Sequence, residues 1–343
     1  MPLAPLYGHE GLKDRLEGAV ASGRLPQSLL LVGPPGVGKQ RLGLWLTQTL
    51  LCTSRNTGPC GVCEHCRRVA DLAHPDLHWF VPLEPPKRPL DEAKKVEWAE
   101  GALAEVMATR RQAPLYQRPS GMASHSMASV RLLLRRVLMR PALGRAKVML
   151  VGDAERLIVQ EASPEAANAL LKALEEPPSD TYVVLTAADP EALLPTIRSR
   201  MVTIRVPGLP DSVVTAFLQR EMKPALSAQE LERRVAAADG SIGCAIAGSR
   251  PGDRVRPLGL GKAREPADRY ERALAQAPWS ARGEFTDLLD AMLLEARSAA
   301  RARPGRGTIR AVEVLLETRG LAQGNVNPQL LLARALDQLA EVA

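Results

Sequence analysis

The sequence predicts an α/β fold in which a parallel sheet carries crossover helices and gives way, after Val206, to a region that is all helical. Three observations carry this. Ser28–Val32, Lys147–Val151 and Tyr182–Thr186 are short, mostly apolar runs without alternation, as expected of strands buried on both faces. Helical sequence separates them, most clearly at Ala166–Glu175, and strand–helix alternation implies a parallel sheet. Beyond Val206 the strand signals fade, and the apolar residues recur only at helical spacing.

Taken in order, Leu12, Leu16, Ala19 and Val20 predict a helix over Gly8–Ala21. The first strand ends at Gly33, and Lys39–Leu51 reads as a helix that runs into a cluster of cysteines. The four prolines of Pro82–Pro89 mark a loop, followed by a helix over Asp91–Arg111. The segment Gln112–Ser126 is irregular and leads into an Arg-rich amphipathic helix, Val130–Met139. After the sheet, helices are expected over Asp211–Met222, Gln229–Ala238, Trp279–Ala302 and Thr308–Arg319. Arg250–Pro266, rich in Gly, Pro and charge, is placed as a domain boundary.

Composition narrows the function classes. The 343 residues are 45% hydrophobic, enough for a soluble core of two or three domains. No apolar run approaches the roughly 20 residues that cross a bilayer, which leaves no place for a membrane. Met1–Glu10 lacks a basic-then-apolar pattern, so a cytoplasmic location is expected. A formal charge of +7 is compatible with a polyanionic partner, but Arg is spread along the chain and fits a solvated basic surface equally well. With only 3% aromatic residues, a base-stacking platform is disfavoured.

Gly33-Pro-Pro-Gly36-Val-Gly38-Lys39-Gln40 lies between a predicted strand and a predicted helix, the context a Walker A phosphate loop requires. Its glycines let backbone N–H groups face a phosphate, the helix N-terminus adds positive potential, and Lys39 reaches the outer phosphates of ATP or ADP. The next position should be Ser or Thr, whose hydroxyl helps hold Mg²⁺, and here it is Gln40. Nucleotide binding survives that change more readily than hydrolysis, and a loop retained only as a fold element stays open. The acidic motif expected after a later strand is also altered. If the strand ends at Val151, Gly152 replaces the metal-holding Asp and Asp153 takes the place of the water-activating acid; in the shifted register Ala154 stands where that acid belongs. Both registers break the pair, so independent ATP hydrolysis is not expected.

Cys52, Cys60, Cys63 and Cys66 form a C-x₇-C-x₂-C-x₂-C pattern. Two-residue spacers let neighbouring thiolates converge on one tetrahedral ion, and four of them close it to water, which suits structural Zn²⁺. An iron–sulfur cluster would accept the same ligands, but nothing else in the chain points to electron transfer. Cys244 stands apart and reads as a small core residue.

A cysteine knuckle directly after the phosphate-loop helix resembles the AAA+ clamp-loader subunits of bacterial DNA polymerase III, the gamma/tau and delta-prime group. His74-Pro-Asp76, the block Asn168-Ala-Leu-Leu-Lys-Ala-Leu-Glu-Glu-Pro-Pro178 and Pro195-Thr-Ile-Arg-Ser-Arg200 fit the same family, with Met201 where its Ser-Arg-Cys element has Cys. The resemblance spans about Leu6 to Gly248. It implies an AAA+ nucleotide-binding-fold domain over 1–207 with the knuckle at 52–66, a helical lid over 208–250 and an all-helical collar domain over 260–343. Gln40, Gly152, Gly243 in the place of a lid arginine, and Thr186-Ala187-Ala188 in the sensor strand depart from the motor pattern and favour a delta-prime-like, non-motor subunit. The absence of a long tau-type tail points the same way. The implied partners are gamma/tau and delta subunits, with the sliding clamp and primed DNA reached through the complex. The resemblance further implies that Arg200 is an arginine finger offered in trans to a neighbour's ATP, with Arg198 as rival; without it, either Arg reads as half of a surface ion pair. An active gamma/tau-type ATPase and a DNA-repair AAA+ ATPase are the alternatives.

Overall fold

The computed structural model describes residues 3–54, 58–86, 88–113, 123–157, 164–247, 265–275, 282–322 and 326–342. They form two compact units, one ending at Ala247 and one continuing from there to the C-terminus.

In the first unit, five parallel strands are ordered β2-β3-β4-β1-β5: β1 (Ser28–Val32), β2 (Leu77–Phe80), β3 (Lys147–Val151), β4 (Thr181–Ala187) and β5 (Val202–Arg205). The three expected strands are the interior ones, and Leu29–Leu31, Val148–Leu150 and Val183–Leu185 are fully buried. Burial from both faces by crossover helices is what their unbroken apolar runs encode. The two edge strands were not expected from the pattern. Each has four residues, and Val202-Thr-Ile-Arg205 is largely solvent-facing, so neither displays a continuous run.

The crossovers are α1 (Glu10–Ala21), α2 (Lys39–Leu51), α3 (Glu64–Ala70), α4 (Glu92–Gln112), α5 (Met127–Leu138), α6 (Pro164–Glu175) and the single turn α7 (Pro195–Arg198). α5 starts three residues before the expected Val130 because Ser126 caps it, its hydroxyl accepting the Ser129 N–H at 3.3 Å. At its other end the buried Lys147 ammonium donates to the carbonyls of Val137, at 2.9 Å, and Met139, so the first residue of β3 closes the last turn of α5. Of the irregular Gln112–Ser126 segment, 114–122 lie outside the described residues. Its end is fixed by two bonds exchanged between Leu83 and Ser124, at 3.0 and 2.9 Å.

Three further helices, α8 (Asp211–Glu221), α9 (Ala228–Ala238) and α10 (Ile242–Ala247), surround a small core of their own built on Leu209, Val214, Phe217, Leu218 and Ala245, with Tyr7 packed edge-on against Phe217. The second unit contains α11 (Pro266–Leu274), α12 (Arg282–Ala302), α13 (Arg306–Leu321) and α14 (Pro328–Val342). Its core is formed by Phe285, Leu288, Leu289, Met292, Leu315 and Leu332, and Arg269 pairs with Asp337 at 2.8 Å between α11 and α14. Most of the expected boundary Arg250–Pro266 lies outside the described residues. None of the described helices is long and apolar enough to cross a membrane.

Candidate functional site

In an open parallel sheet the loops at the carboxyl ends of the strands share one rim, which is where such folds bind ligands. Here β1 lies beside β4, and β4 beside β3. Their C-terminal ends therefore place the phosphate loop, the Gly152–Glu155 turn and the Ala187-Ala188 step on one rim.

The loop Gly33–Gly38 is held from outside. Lys39 Nζ donates to the carbonyls of Gly33 and Pro34, at 2.8 and 2.9 Å. Ser241 Oγ donates to Pro35 O at 2.8 Å, Gly243 N–H to Gly36 O at 3.0 Å and His9 Nε2–H to Val37 O at 2.9 Å. Leu42 N–H takes Gly38 O at 2.8 Å. Every carbonyl from 33 to 38 is thus engaged, whereas the N–H groups of Gly36, Val37 and Gly38 find no acceptor among the described residues. A run of unspent backbone N–H groups beside the N-terminus of a thirteen-residue helix has the makings of an anion cradle. Gly36 (φ 76°) and Gly38 (φ 102°) make this curvature possible, because side-chain-bearing residues rarely adopt such angles.

The position that would hold Mg²⁺ is filled by protein. Gln40 Oε1 accepts the indole N–H of Trp79 at 3.1 Å, and the Arg110 guanidinium lies 4.0 Å over the Trp79 ring. β3 ends at Val151, so Gly152 is the first residue beyond the strand. A Cβ built on it would stand 2.6 Å from Cδ, Oε1 and Nε2 of Gln40 alike, so the amide lies flat against the bare Cα. A Thr hydroxyl and an Asp carboxylate are what a magnesium ion would use at these two positions. An amide committed to an indole and a glycine do not fit that ion.

The two remaining acidic residues of the turn are tied to β4 and to the residue that follows it. Asp153, in a left-handed conformation (φ 51°), donates its N–H to Thr186 Oγ1 at 3.1 Å. Glu155 accepts the Ala188 N–H at 3.2 Å through Oε1, while Oε2 is buried without a partner among the described residues. Burial, and then the Asp153 carboxylate, raise the Glu155 pKa above the usual range, opposed by Lys39. Beneath Gly152, buried His125 donates Nε2–H to its carbonyl at 2.7 Å, and burial pushes the His125 pKa down to about 4. Gly243 also requires its lack of a side chain, since its Cβ would come within 2.8 Å of Gly36 Cα. An arginine there cannot coexist with this packing.

The four cysteines of the knuckle converge. Cys52 ends α2 and Cys63 caps α3, and all four sulfurs lie within 4.8 Å of one another. Four sulfurs at about 2.3 Å from one ion would stand about 3.8 Å apart, and Cys63 and Cys52 are 3.9 Å apart. Backbone N–H groups of Cys60, Cys63 and Cys66 point at the sulfurs of Cys52, Cys60 and Cys63, at 3.4, 3.3 and 3.4 Å. Burial opposes ionisation of Cys63, but N–H donors from Cys66 and Thr53 outweigh it and bring its pKa to about 5; burial raises Cys66 instead. The residues fit a closed tetrahedral metal site.

Arg200 is not joined to these groups. It follows α7 and pairs with Glu175 at the end of α6, at 2.6 Å, and also donates to Thr196 O at 2.9 Å. Its rival Arg198 pairs with Glu191. Trp79, Ser241, His125 and Glu155 complete the site without any signal in local sequence. Each acts on a partner that is distant in the chain or belongs to the backbone.

Comparison with known proteins adds four findings. A family model described as "DNA polymerase III, delta subunit" matches residues 8–210. DNA polymerase III subunit delta' of Pseudomonas aeruginosa is 35% identical over 213 residues, covering 62% of this chain and 52% of that protein. The Escherichia coli subunit delta' is 28% identical over 235 residues, 68% of this chain and 58% of that one. Subunit tau of Salmonella typhimurium is also similar, 28% identical over 243 residues, 70% of this chain and 31% of its own length. The chain spans about half the length of the delta' relatives it matches.

Proposed function

The chain belongs to the DNA polymerase III delta-subunit family, and on that premise we propose that it is a delta'-type, non-motor subunit of a bacterial clamp loader. In this reading it assembles with gamma/tau and delta subunits and helps place the sliding clamp on primed DNA. The carrying observation is the Gln40 amide lying against Gly152, pinned by Trp79, where a motor subunit needs a metal ion. Gly243 packed on Gly36, where a lid arginine would reach the phosphates, supports it. Helices α8–α10 are the lid, the second unit is the collar, and Cys52, Cys60, Cys63 and Cys66 hold a structural Zn²⁺.

Arg200 is the arginine finger, acting on the ATP of a neighbouring subunit. Its pair with Glu175 is half-exposed on both sides, and such pairs contribute about 0–1 kcal/mol, so a neighbour's phosphate can take the guanidinium over. Two measurements test this reading. The purified chain should show no Mg²⁺-dependent ATP turnover above a Lys39→Ala control; turnover that the substitution abolishes would make it a motor. Reconstituted with gamma/tau and delta subunits, Arg200→Ala should leave assembly intact and lower complex ATPase by about 10³-fold, the loss typical of an arginine finger. Unchanged turnover would remove Arg200 from that role, and failure to assemble would remove the clamp-loader reading.

A further inference from the structure

We propose that the phosphate loop of this chain binds a nucleotide through its β-phosphate without a divalent cation, the Gln40 amide standing in the metal's place. The inference deepens the non-hydrolysing reading of the loop but does not depend on clamp-loader assembly.

The cradle itself is intact. Its six carbonyls are all bonded, its N–H groups at Gly36, Val37 and Gly38 are unspent among the described residues, and Lys39 lies on the loop's own carbonyls. The bonds from Lys39 Nζ to these neutral carbonyls can be exchanged for one to a phosphate, which is the stronger, charge-assisted bond. What differs is the metal position. An indole N–H can only donate, so the Trp79 bond identifies Oε1 of Gln40 as the atom facing it and leaves Nε2, with two N–H donors, as the free end of the amide.

Electrostatics agree with this arrangement. In a loop that keeps its Asp, removing the metal leaves a carboxylate facing the phosphates, and the two anions repel. Here Gly152 has no carboxylate, so the repulsion at that position is absent along with the metal's ligand, and the charge left to offset is that of the phosphates and of the neighbouring Asp153. A neutral donor then suffices where a divalent cation is otherwise needed. The ligand must carry a β-phosphate, because the lysine and the residue after it serve the outer phosphates of this loop type.

The test is a binding titration of the full-length chain with fluorescent ADP and GDP analogues, in excess magnesium and again in excess EDTA. At least one should bind, with dissociation constants that agree within about twofold between the two conditions, while AMP competes at least about tenfold more weakly. Lys39→Ala should weaken binding about tenfold or more. The double substitution Gln40→Thr with Gly152→Asp should make binding magnesium-dependent, by about tenfold. Tenfold tightening of the unmodified chain by magnesium would overturn the proposal, as would binding unaffected by Lys39→Ala or no binding of either diphosphate. Should the double variant lose its circular-dichroism spectrum, the magnesium-against-EDTA comparison on the unmodified chain decides alone. Because it uses the isolated chain, its failure is distinct from a failure to assemble with partner subunits.

Discussion

Helix α2 has a potential metal site at each end, and the two have fared differently. At its C-terminus Cys52 belongs to four thiols whose sulfurs converge within 4.8 Å. At its N-terminus Gln40 and Gly152 have replaced both groups that a magnesium ion would use, and the amide of one fills the space left by the other. The difference follows from what each ion does for the chain. An ion held by the four thiols would tie the loop between α2 and α3 to both helices, so losing one ligand would loosen the local fold. A magnesium ion at a phosphate loop serves the reaction and not the fold. Its ligands can therefore be exchanged for a packed amide while the sheet around them, with Leu29–Leu31 fully buried, stays as it was.

The contrast breaks most visibly at the cysteine end. Cys66 is completely buried, and Cys66→Ser should remove the ion and destabilise the chain by more than the roughly 1 kcal/mol of an average substitution, loss of a metal being one of the few causes of large effects. Native mass spectrometry should find about one zinc per unmodified chain and none in the variant, with urea unfolding giving the stability. A variant that keeps its stability would put this site on the same footing as the replaced one.

A smaller effect is expected under the phosphate-loop end. His125 is buried and its pKa lies near 4, against 6.5 when exposed. The unfolded chain therefore binds the proton first as pH falls, so stability present above pH 6.5 is lost on the way to pH 4. The interval corresponds to about 3 kcal/mol at about 1.36 kcal/mol per pH unit. His125→Gln keeps an N–H for the Gly152 carbonyl and should flatten that acid limb in urea titrations run from about pH 7 down to about pH 4. His78, whose pKa burial also lowers to about 4, contributes a residual slope in both proteins. Parallel loss of stability in the two would show that His125 is not the group responsible.

How much of this can be read without coordinates depends on the distance between partners. The glycines and Lys39 of the loop, and the cysteine spacing, are local patterns, and the structure brings each set together. The interior strands are legible because burial on both faces leaves unbroken apolar runs. Val202–Arg205 is not, since an edge strand facing solvent carries no such run. Gln40 can be recognised as a departure, but its partner Trp79 lies 39 positions away on β2, and Ser241 meets Pro35 across 206. Such pairs are made by packing, and nothing in either neighbourhood announces them. Glu175 likewise stands in sequence only as the end of a helical stretch, yet its carboxylate holds Arg200.

The finest test of the comparison asks whether Gln40 and Gly152 are one replacement or two unrelated losses. Gly152→Ala puts a methyl 2.6 Å from the Gln40 amide, but the obstacle is the end of a flexible side chain and can swing aside. The cost should be about 1 kcal/mol, at the lower end for overpacking. Gln40→Ala leaves the buried Trp79 indole N–H without its acceptor, again at about 1 kcal/mol. With the amide gone, the methyl at 152 meets open space, so the double variant should be more stable than the sum predicts by about 0.5–1 kcal/mol. Urea unfolding of the four proteins reads this coupling directly. Strict additivity would mean that the amide does not lie against Gly152 in solution, and the metal position would then be vacant and not filled. A measured coupling makes the two positions a single exchange, which is why restoring a magnesium-dependent loop should require changing both residues and not either one.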